Sequence, residues 1–314
     1  MKPFIVVADG FDKDLFEDLK NTSEFEVHPS SKISQDELKE LLPKVNGLVI
    51  RSATKVKQDY LDLAPNLKYV IRAGAGTDNI DKASCQEVGV KVSNTPGANN
   101  NSAAEHAIAL TMTVLRKTAW AHKTMSNGGW DKSKYTGNEL ANKKVGIVGY
   151  GQIGQIVAKR ISGFEPEVFF YDPFIEKSEL PYAKKAELEE LFKECDIISI
   201  HTPLMDATKG LISRELMSMM KPGAVLINAS RGGIVDEEAL LDILKEGKIR
   251  GAGFDVFATE PLEENSPLRS LDNLVMTPHL GASTEEAQFR VGEMAVHQLK
   301  EFFLKDNLLN EVRV

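Results

Sequence analysis

Residues 144–154, "KVGIVGYGQIG", limit the fold more than any other stretch: an apolar run leads into Gly149, Gly151 and Gly154, and the helix-forming "QIVAKRISGF" follows. The first glycine allows a tight turn. The second lets the backbone approach a pyrophosphate, and the third lets the helix pack closely on the strand. Amides at the helix start then bind the phosphates. The next apolar stretch, "EVFFYD", ends in Asp172, about 20 residues on, where an acid accepts from adenosine ribose hydroxyls. A carboxylate there repels a 2'-phosphate, so the pattern points to NAD rather than NADP.

This unit belongs to a longer rhythm. "FIVVAD", "DKDLFEDLKN", "FEVHP", "SQDELKELLPKV" and "GLVIR" alternate strand with helix, and "LKYVIRAGAG" and "VKVSNTPG" continue to about residue 97. A second series runs through "CDIISIHTPL", "GAVLINAS", "GAGFDVF" and "NLVMTPH". Strands apolar throughout fit parallel sheets buried on both faces. The expected class is α/β, with two doubly wound parallel-sheet domains. Between the series, "SAAEHAIALTMTVLRKTAWAHKTM", from Ser102 to about Met125, reads as one helix that other protein must cover, either its own core or an interface. "SNGGWDKSKYTGNEL" reads as a polar loop, and "STEEAQFRVGEMAVHQLKEFFLKDN" as a final helix.

Composition narrows the function classes. With 314 residues, 42% hydrophobic and 27% charged, the chain has material for two ordinary cores. A net charge of −8 repels nucleic acid and anionic membranes, so an anionic ligand needs a local group of cations. Cys85 and Cys195 stand alone, without metal-ligand spacing, which fits a reducing compartment and no metal. The start "MKPFIVVADG" is too short for a signal-peptide core, and no apolar run nears the roughly 18 to 20 residues that span a bilayer. A soluble cytoplasmic protein is expected.

Three ionisable residues each lie just past an apolar strand, where doubly wound folds bind ligands: Arg231 after "VLINAS", Glu260 after "GFDVF" and His279 after "NLVM". Singly they read equally well as a surface charge, a loop carboxylate and a turn residue. Together, beside a dinucleotide fold, they fit oxidation of a secondary alcohol. Histidine takes the hydroxyl proton, a carboxylate orients it and favours the imidazolium, and arginine forks onto a carboxylate or polarises a carbonyl. The other glycine loop, "IRAGAGTDNID", fails as a nucleotide fingerprint. Asn79 stands where the third glycine should be, and no acid ends a strand about 20 residues on.

The segments "GYGQIG", "NASRGGIVDEEAL", "GAGFDVFATEP" and "TPHLGAS" resemble, in order and over essentially the whole chain, the D-isomer-specific 2-hydroxyacid dehydrogenases. The resemblance implies a Rossmann NAD domain, 99–284, inserted into a flavodoxin-like substrate domain, 1–98 and 285–314, with catalysis in the cleft. It implies that Arg231 binds the substrate carboxylate and carbonyl, His279 is the acid/base and Glu260 supports it. Further NAD contacts carry over to Gln152, Ile153, Thr202, Pro203, Ala229, Ser230, Asp255 at the carboxamide, Gly281 and Ala282. Residues 102–140 would form a two-fold homodimer interface.

The segments "LVIRSATKV", "IRAGAGTDNID" and "PHLGASTEEAQ" look most like family members that oxidise D-3-phosphoglycerate, the first step of serine synthesis. Arg51 ends "GLVI" and Arg72 ends "KYVI", so both project to one sheet mouth, and the resemblance puts them near a phosphate. Ala73, Gly74, Ala75 and Gly76 would let amides approach the substrate carboxylate. Lys132 and Lys134 are weaker candidates reaching in from a partner. Ala75 departs from a threonine frequent in relatives. The end near residue 314 leads us to expect no regulatory domain and no serine feedback. Two other readings are a reductase of glyoxylate or hydroxypyruvate, against which the two arginines speak, and an NAD-sensing corepressor-type scaffold.

Overall fold

The computed structural model describes residues 2–313, which form two compact units: the residues up to Asn99 with those from Ala282 on, and Asn100–Gly281. The first contains β1 (Phe4–Val7), α1 (Lys13–Lys20), β2 (Glu26–Val27), α2 (Gln35–Leu41), β3 (Gly47–Ile50), α3 (Gln58–Asp62), β4 (Tyr69–Arg72), α4 (Lys82–Glu87) and β5 (Lys91–Asn94). The second contains α5 (Asn100–Arg116), α6 (Thr118–Ser126), β6 (Lys144–Val148), α7 (Gln152–Ile161), β7 (Glu167–Tyr171), β8 (Ala183–Lys185), α8 (Leu188–Glu194), β9 (Ile197–Ile200), α9 (Arg214–Ser218), β10 (Val225–Asn228), α10 (Glu237–Lys245), β11 (Gly251–Phe254) and β12 (Leu274–Met276). The chain then returns to the first unit as α11 (Glu285–Lys305).

Both sheets are parallel. The first has order β2-β1-β3-β4-β5, the flavodoxin-like winding, and the second β12-β11-β10-β9-β6-β7-β8, the Rossmann winding with an added edge strand. Alternation along each strand explains the two helix layers. Val6, Leu48, Ile50 and Val70 face Leu38, Leu61 and Cys85, whereas Ile5, Val7, Val49, Tyr69 and Ile71 face Phe16 and the α11 residues Val291, Ala295 and Leu299. Tyr69 stacks on Phe302 at 4.3 Å between ring centres. In the second sheet, Val145, Ile147, Val225 and Ile227 meet α5 and α7, and Val148, Ile198, Leu226 and Phe254 meet the α8–α10 side. Beyond α11 the chain runs along the β5 edge: Ser93 Oγ donates to Leu309 O (2.6 Å) and Val312 N to Val92 O (2.8 Å).

Two features depart from the sequence reading. The expected single helix from 102 to 125 breaks at Lys117, which takes a left-handed φ of 53°. The cause is tertiary: Asn138 N donates to Leu115 O (3.0 Å), and a Cβ on Gly137 would strike that carbonyl, so the returning chain caps α5. Ala104, Ala107, Leu110 and Val114 of α5 are spent on the unit's own core, whereas α6 buries no residue. The edge strand β8 was not foreseen. Its "AKK" has one apolar residue, and charge on an edge strand carries no alternation to read. Among the described residues no helix is long and apolar enough to cross a membrane, and no group of His, Cys, Asp or Glu could hold a metal. Cys85 and Cys195 are buried free thiols.

Candidate active site

The glycine loop has the geometry its spacing implies. Gly149, at φ +90°, leaves no room for a side chain: a Cβ would lie 2.8 Å from the backbone of His201 and Thr202. A Cβ on Gly154 would strike the Gly149 carbonyl, so β6 and α7 pack in contact there. In front of Gly151 a Cβ would meet nothing within 4 Å. Asp12, Ser34, Ser213, Asp236 and Thr284 cap other helices with their side chains, but α7 starts at Gly151 without one, so its first amides stay open to an anion. Asp172, at the end of β7, is buried. Its Oδ2 accepts from Tyr150 N (2.8 Å) and its Oδ1 from Phe174 N (2.9 Å), leaving each oxygen a further lone pair for a ribose hydroxyl.

At the other strand ends of this unit, Glu260 and His279 meet. His279 Nδ1 lies 2.8 Å from Glu260 Oε2, and Glu260 Oε1 accepts from Phe257 N (3.1 Å). Burial pushes the Glu260 carboxyl up, but the bond to and charge of His279 and the Phe257 amide outweigh it and hold the group below its usual range. Glu260 is therefore ionised at neutral pH, and the ring presents Nε2 outward. Arg231 follows β10 in a half-buried position. Its Nη1 donates to Ser230 O (2.7 Å), while Asn228 Nδ2 donates to Arg231 O (3.0 Å) and Asn228 Oδ1 accepts from both Ser230 N and Ser230 Oγ. Asn228 thus shapes the loop that carries Ala229, Ser230 and Arg231.

Asp255, expected at a carboxamide, also anchors the turn that carries His279. Its side chain is fully buried, and both oxygens are bonded: Oδ1 accepts from Thr277 Oγ1 (2.5 Å) and Leu280 N (2.7 Å), with His106 Nε2 at 3.1 Å, and Oδ2 accepts from Gly281 N (2.8 Å). These bonds tie Asp255 to the turn 277–281, and Oδ2, with one donor, keeps a further lone pair. Burial raises its pKa, yet the His106 and Thr277 bonds and the Leu280 amide bring it below the ordinary value.

In the first unit Arg51 and Arg72 sit at the ends of the adjacent strands β3 and β4, where Ile50 and Arg72 are register partners. Asp9 holds the β3 loop: its carboxylate accepts from Arg51 N (2.7 Å), Thr54 N (3.0 Å) and Thr54 Oγ1 (2.6 Å). Burial lowers the Arg51 pKa and the Asp9 charge opposes this, so Arg51 remains a cation. Arg72 Nη1 donates to Ala73 O (3.2 Å) and lies beside Gly74, whose φ of +149° favours glycine. Asn94 Nδ2 fastens Ala75 through its carbonyl (2.5 Å). Asn79 donates to Arg51 O and Thr54 O (2.7 and 2.6 Å), which explains its departure from glycine. Lys132 and Lys134 are exposed beside α6, in the second unit but outside its Arg231–Glu260–His279 group.

Residues 108–281 match the family described as D-isomer specific 2-hydroxyacid dehydrogenase, NAD binding domain. The chain belongs to this family. It is an NAD-dependent D-2-hydroxyacid dehydrogenase. A hydroxypyruvate reductase of Thermotoga maritima is 45% identical over 93% of this chain and 96% of its own length. A D-3-phosphoglycerate dehydrogenase of Methanocaldococcus jannaschii is 40% identical over 98% of this chain but 59% of its own length, and one from Mycobacterium tuberculosis is 44% identical over 82% and 49%. The chain thus spans about half the length of such phosphoglycerate dehydrogenases. Among solved structures, the TT0316 protein of Thermus thermophilus superposes with a TM-score of 0.88 at 33% identity, over 99% of this chain and all of that one. An NAD-dependent formate dehydrogenase of Staphylococcus aureus in complex with NAD superposes at 0.85 with 28% identity, over 100% and 99%.

In this dehydrogenase the residues around the glycine loop suit NAD. Thr202 Oγ1 is buried without a partner beside Gly149, a hydroxyl left for a ligand to satisfy. Pro203 O and Ala282 O accept from Thr208 Oγ1 and Gln288 Nε2 (both 2.6 Å), and Gln152 Oε1 accepts from Asn100 Nδ2 (2.6 Å). Ile153 is half-buried behind Gln152 on α7. Residues that sequence reasoning missed are Asn228, Asp9, Thr277 and His106. The one available signal was His106 itself, a titratable ring after Glu105 in the alanine-rich "SAAEHAIAL".

His201, next to Thr202, bonds to Ser199 Oγ (2.8 Å), and burial pushes its pKa from 6.5 down to about 4. Between those values the unfolded chain binds more protons than the folded one. Stability is therefore full above 6.5 and falls as the pH drops toward 4, by up to about 3 kcal/mol. Urea unfolding at several pH values is expected to show a shallower acid loss in His201→Gln. Parallel curves for variant and parent would refute this.

Proposed function

We propose that the chain interconverts D-3-phosphoglycerate and 3-phosphohydroxypyruvate. The observation that carries the reading is the pair of guanidinium groups, Arg51 and Arg72, at neighbouring strand ends in a protein of net charge −8. A phosphate adds nearly two charges, and Arg is suited to bind it through paired N–H bonds. The Ala73 amide is spent on Ile50 O (2.8 Å), and the half-buried Ala75 and Gly76 are the small residues whose amides suit the carboxylate.

In the oxidative direction Arg231 holds the carboxylate and the C2 oxygen. His279 Nε2 accepts the C2 hydroxyl proton, and Glu260 stabilises the resulting imidazolium from Nδ1 at 2.8 Å. Gly149, Gly151, Gly154 and Asp172 would hold NAD, which would supply the acceptor for the C2 hydride. One C–H and one O–H bond break, a carbonyl forms, and the proton stays on His279 until solvent takes it. In the reverse direction the same imidazolium donates to the carbonyl oxygen, which Arg231 polarises. We further read residues 102–140 as a homodimer face. In its support, Trp130 is 84% and Met125 50% exposed on the stretch 118–130, where no residue is buried.

The similarity to a hydroxypyruvate reductase favours a second reading, reduction of an unphosphorylated 2-oxo acid. NADH oxidation with 3-phosphohydroxypyruvate, hydroxypyruvate and glyoxylate separates the two. The phosphorylated acid is expected to have the highest kcat/KM. Arg72→Ala is expected to lower its advantage by on the order of 10- to 100-fold, the worth of a hydrogen bond to a charged group. Equal rates on all three acids, or an advantage unchanged in the variant, would remove the phosphate from the site.

A further inference from the structure

We propose that His106, on α5, is a positioning residue for hydride transfer, acting on His279 through Asp255 and Thr277. The catalytic turn is built around one carboxylate. Asp255 Oδ1 and Oδ2 take Leu280 N and Gly281 N, and the Asp255 carbonyl takes His279 N (2.9 Å). This holds His279 at φ +56°, a left-handed conformation that a residue with a Cβ rarely adopts. The base is thus fixed from two sides, by Glu260 through its ring and by Asp255 through its backbone.

His106 Nε2 lies 3.0 Å from Thr277 Oγ1 and 3.1 Å from Asp255 Oδ1. Thr277 has one hydroxyl proton, and it is directed to Asp255 at 2.5 Å. Nε2 therefore faces two acceptors and must itself carry a proton, which it shares between them. This N–H is the one side-chain donor from outside the turn that Asp255 receives among the described residues. It comes from a rigid support, since Ala104, Ala107 and Leu110 around it are locked into the core. Without that bond a fully buried carboxylate lacks one of its donors, and the Thr277–Gly281 turn loses its tie to α5. His106 touches neither of the reacting groups, so its effect belongs to kcat rather than to cofactor affinity.

The test uses the full chain with NADH and the best of the three 2-oxo acids. His106→Leu removes the donor at similar size, while His106→Gln keeps an N–H at similar reach. The Leu variant is expected to lose on the order of 10-fold in kcat, with KM for NADH within about twofold of the parent, and Gln to restore most of the loss. Thr277→Val, which breaks the same relay, should reproduce the Leu result. Amide hydrogen exchange at Leu280 and Gly281 reads the turn without turnover: it should speed up about 10-fold in Leu and recover in Gln. Parental kcat and exchange in the Leu variant, or equal losses in Leu and Gln, would overturn the proposal. It rests on His279 as the acid/base. If His279→Ala turns over normally, that reading fails first; if His279→Ala is inactive and His106→Leu is normal, the present inference alone fails.

Discussion

His279→Ala is expected to lower kcat by on the order of 10²- to 10⁴-fold, the usual contribution of one positioned acid/base. The lone pair that takes the hydroxyl proton is gone, and water in its place lacks the Glu260 carboxylate 2.8 Å behind it. NADH binding should survive, since the glycine loop and Asp172 stand on separate strand ends of the same sheet. Fluorescence titration of NADH alongside steady-state turnover checks both halves. A variant that retains turnover within about tenfold of the parent would exclude His279 as the base.

The second large effect is at Arg231. Arg231→Ala should cut kcat/KM for the 2-oxo acid by on the order of 10²- to 10³-fold, because a substrate carboxylate loses its paired, charge-assisted bonds. Arg231→Lys should recover little, as an ammonium is a point charge and cannot fork onto carboxylate and carbonyl together. The Asn228 bonds to Ser230 hold the loop in either variant, so the loss should come without unfolding. Full recovery by lysine would reduce the role of Arg231 to charge alone.

The sequence was most legible where a residue's role is dictated by sterics close in the chain. Gly149 and Gly154 have no room for a Cβ, and the spacing of such glycines survives in any reading of the chain. Strands apolar throughout announced two buried parallel sheets for the same local reason. What escaped was settled across long sequence distances. The break at Lys117 comes from Asn138 meeting Leu115, and neither residue is a helix breaker. Asp255 was assigned to a carboxamide by resemblance alone, and no spacing showed that Thr277, Leu280 and Gly281 return to it from beyond the next strand. His106 lies far from Asp255 along the chain, on a helix that precedes the whole second sheet, so no spacing rule could link them.

The return of α11 to the first sheet bears on how the chain is made. A ribosome emits β1–β5 first, then the whole of the second unit, and only then Val291, Ala295, Leu299 and Phe302, which cover Ile5, Val7, Val49, Tyr69 and Ile71. During that interval one face of a nascent sheet has only α1 on it, and the β5 edge waits for Leu309 and Val312. The Asn100–Gly281 unit is therefore complete on the ribosome before the other, and the earliest-synthesised strands wait longest for their cover.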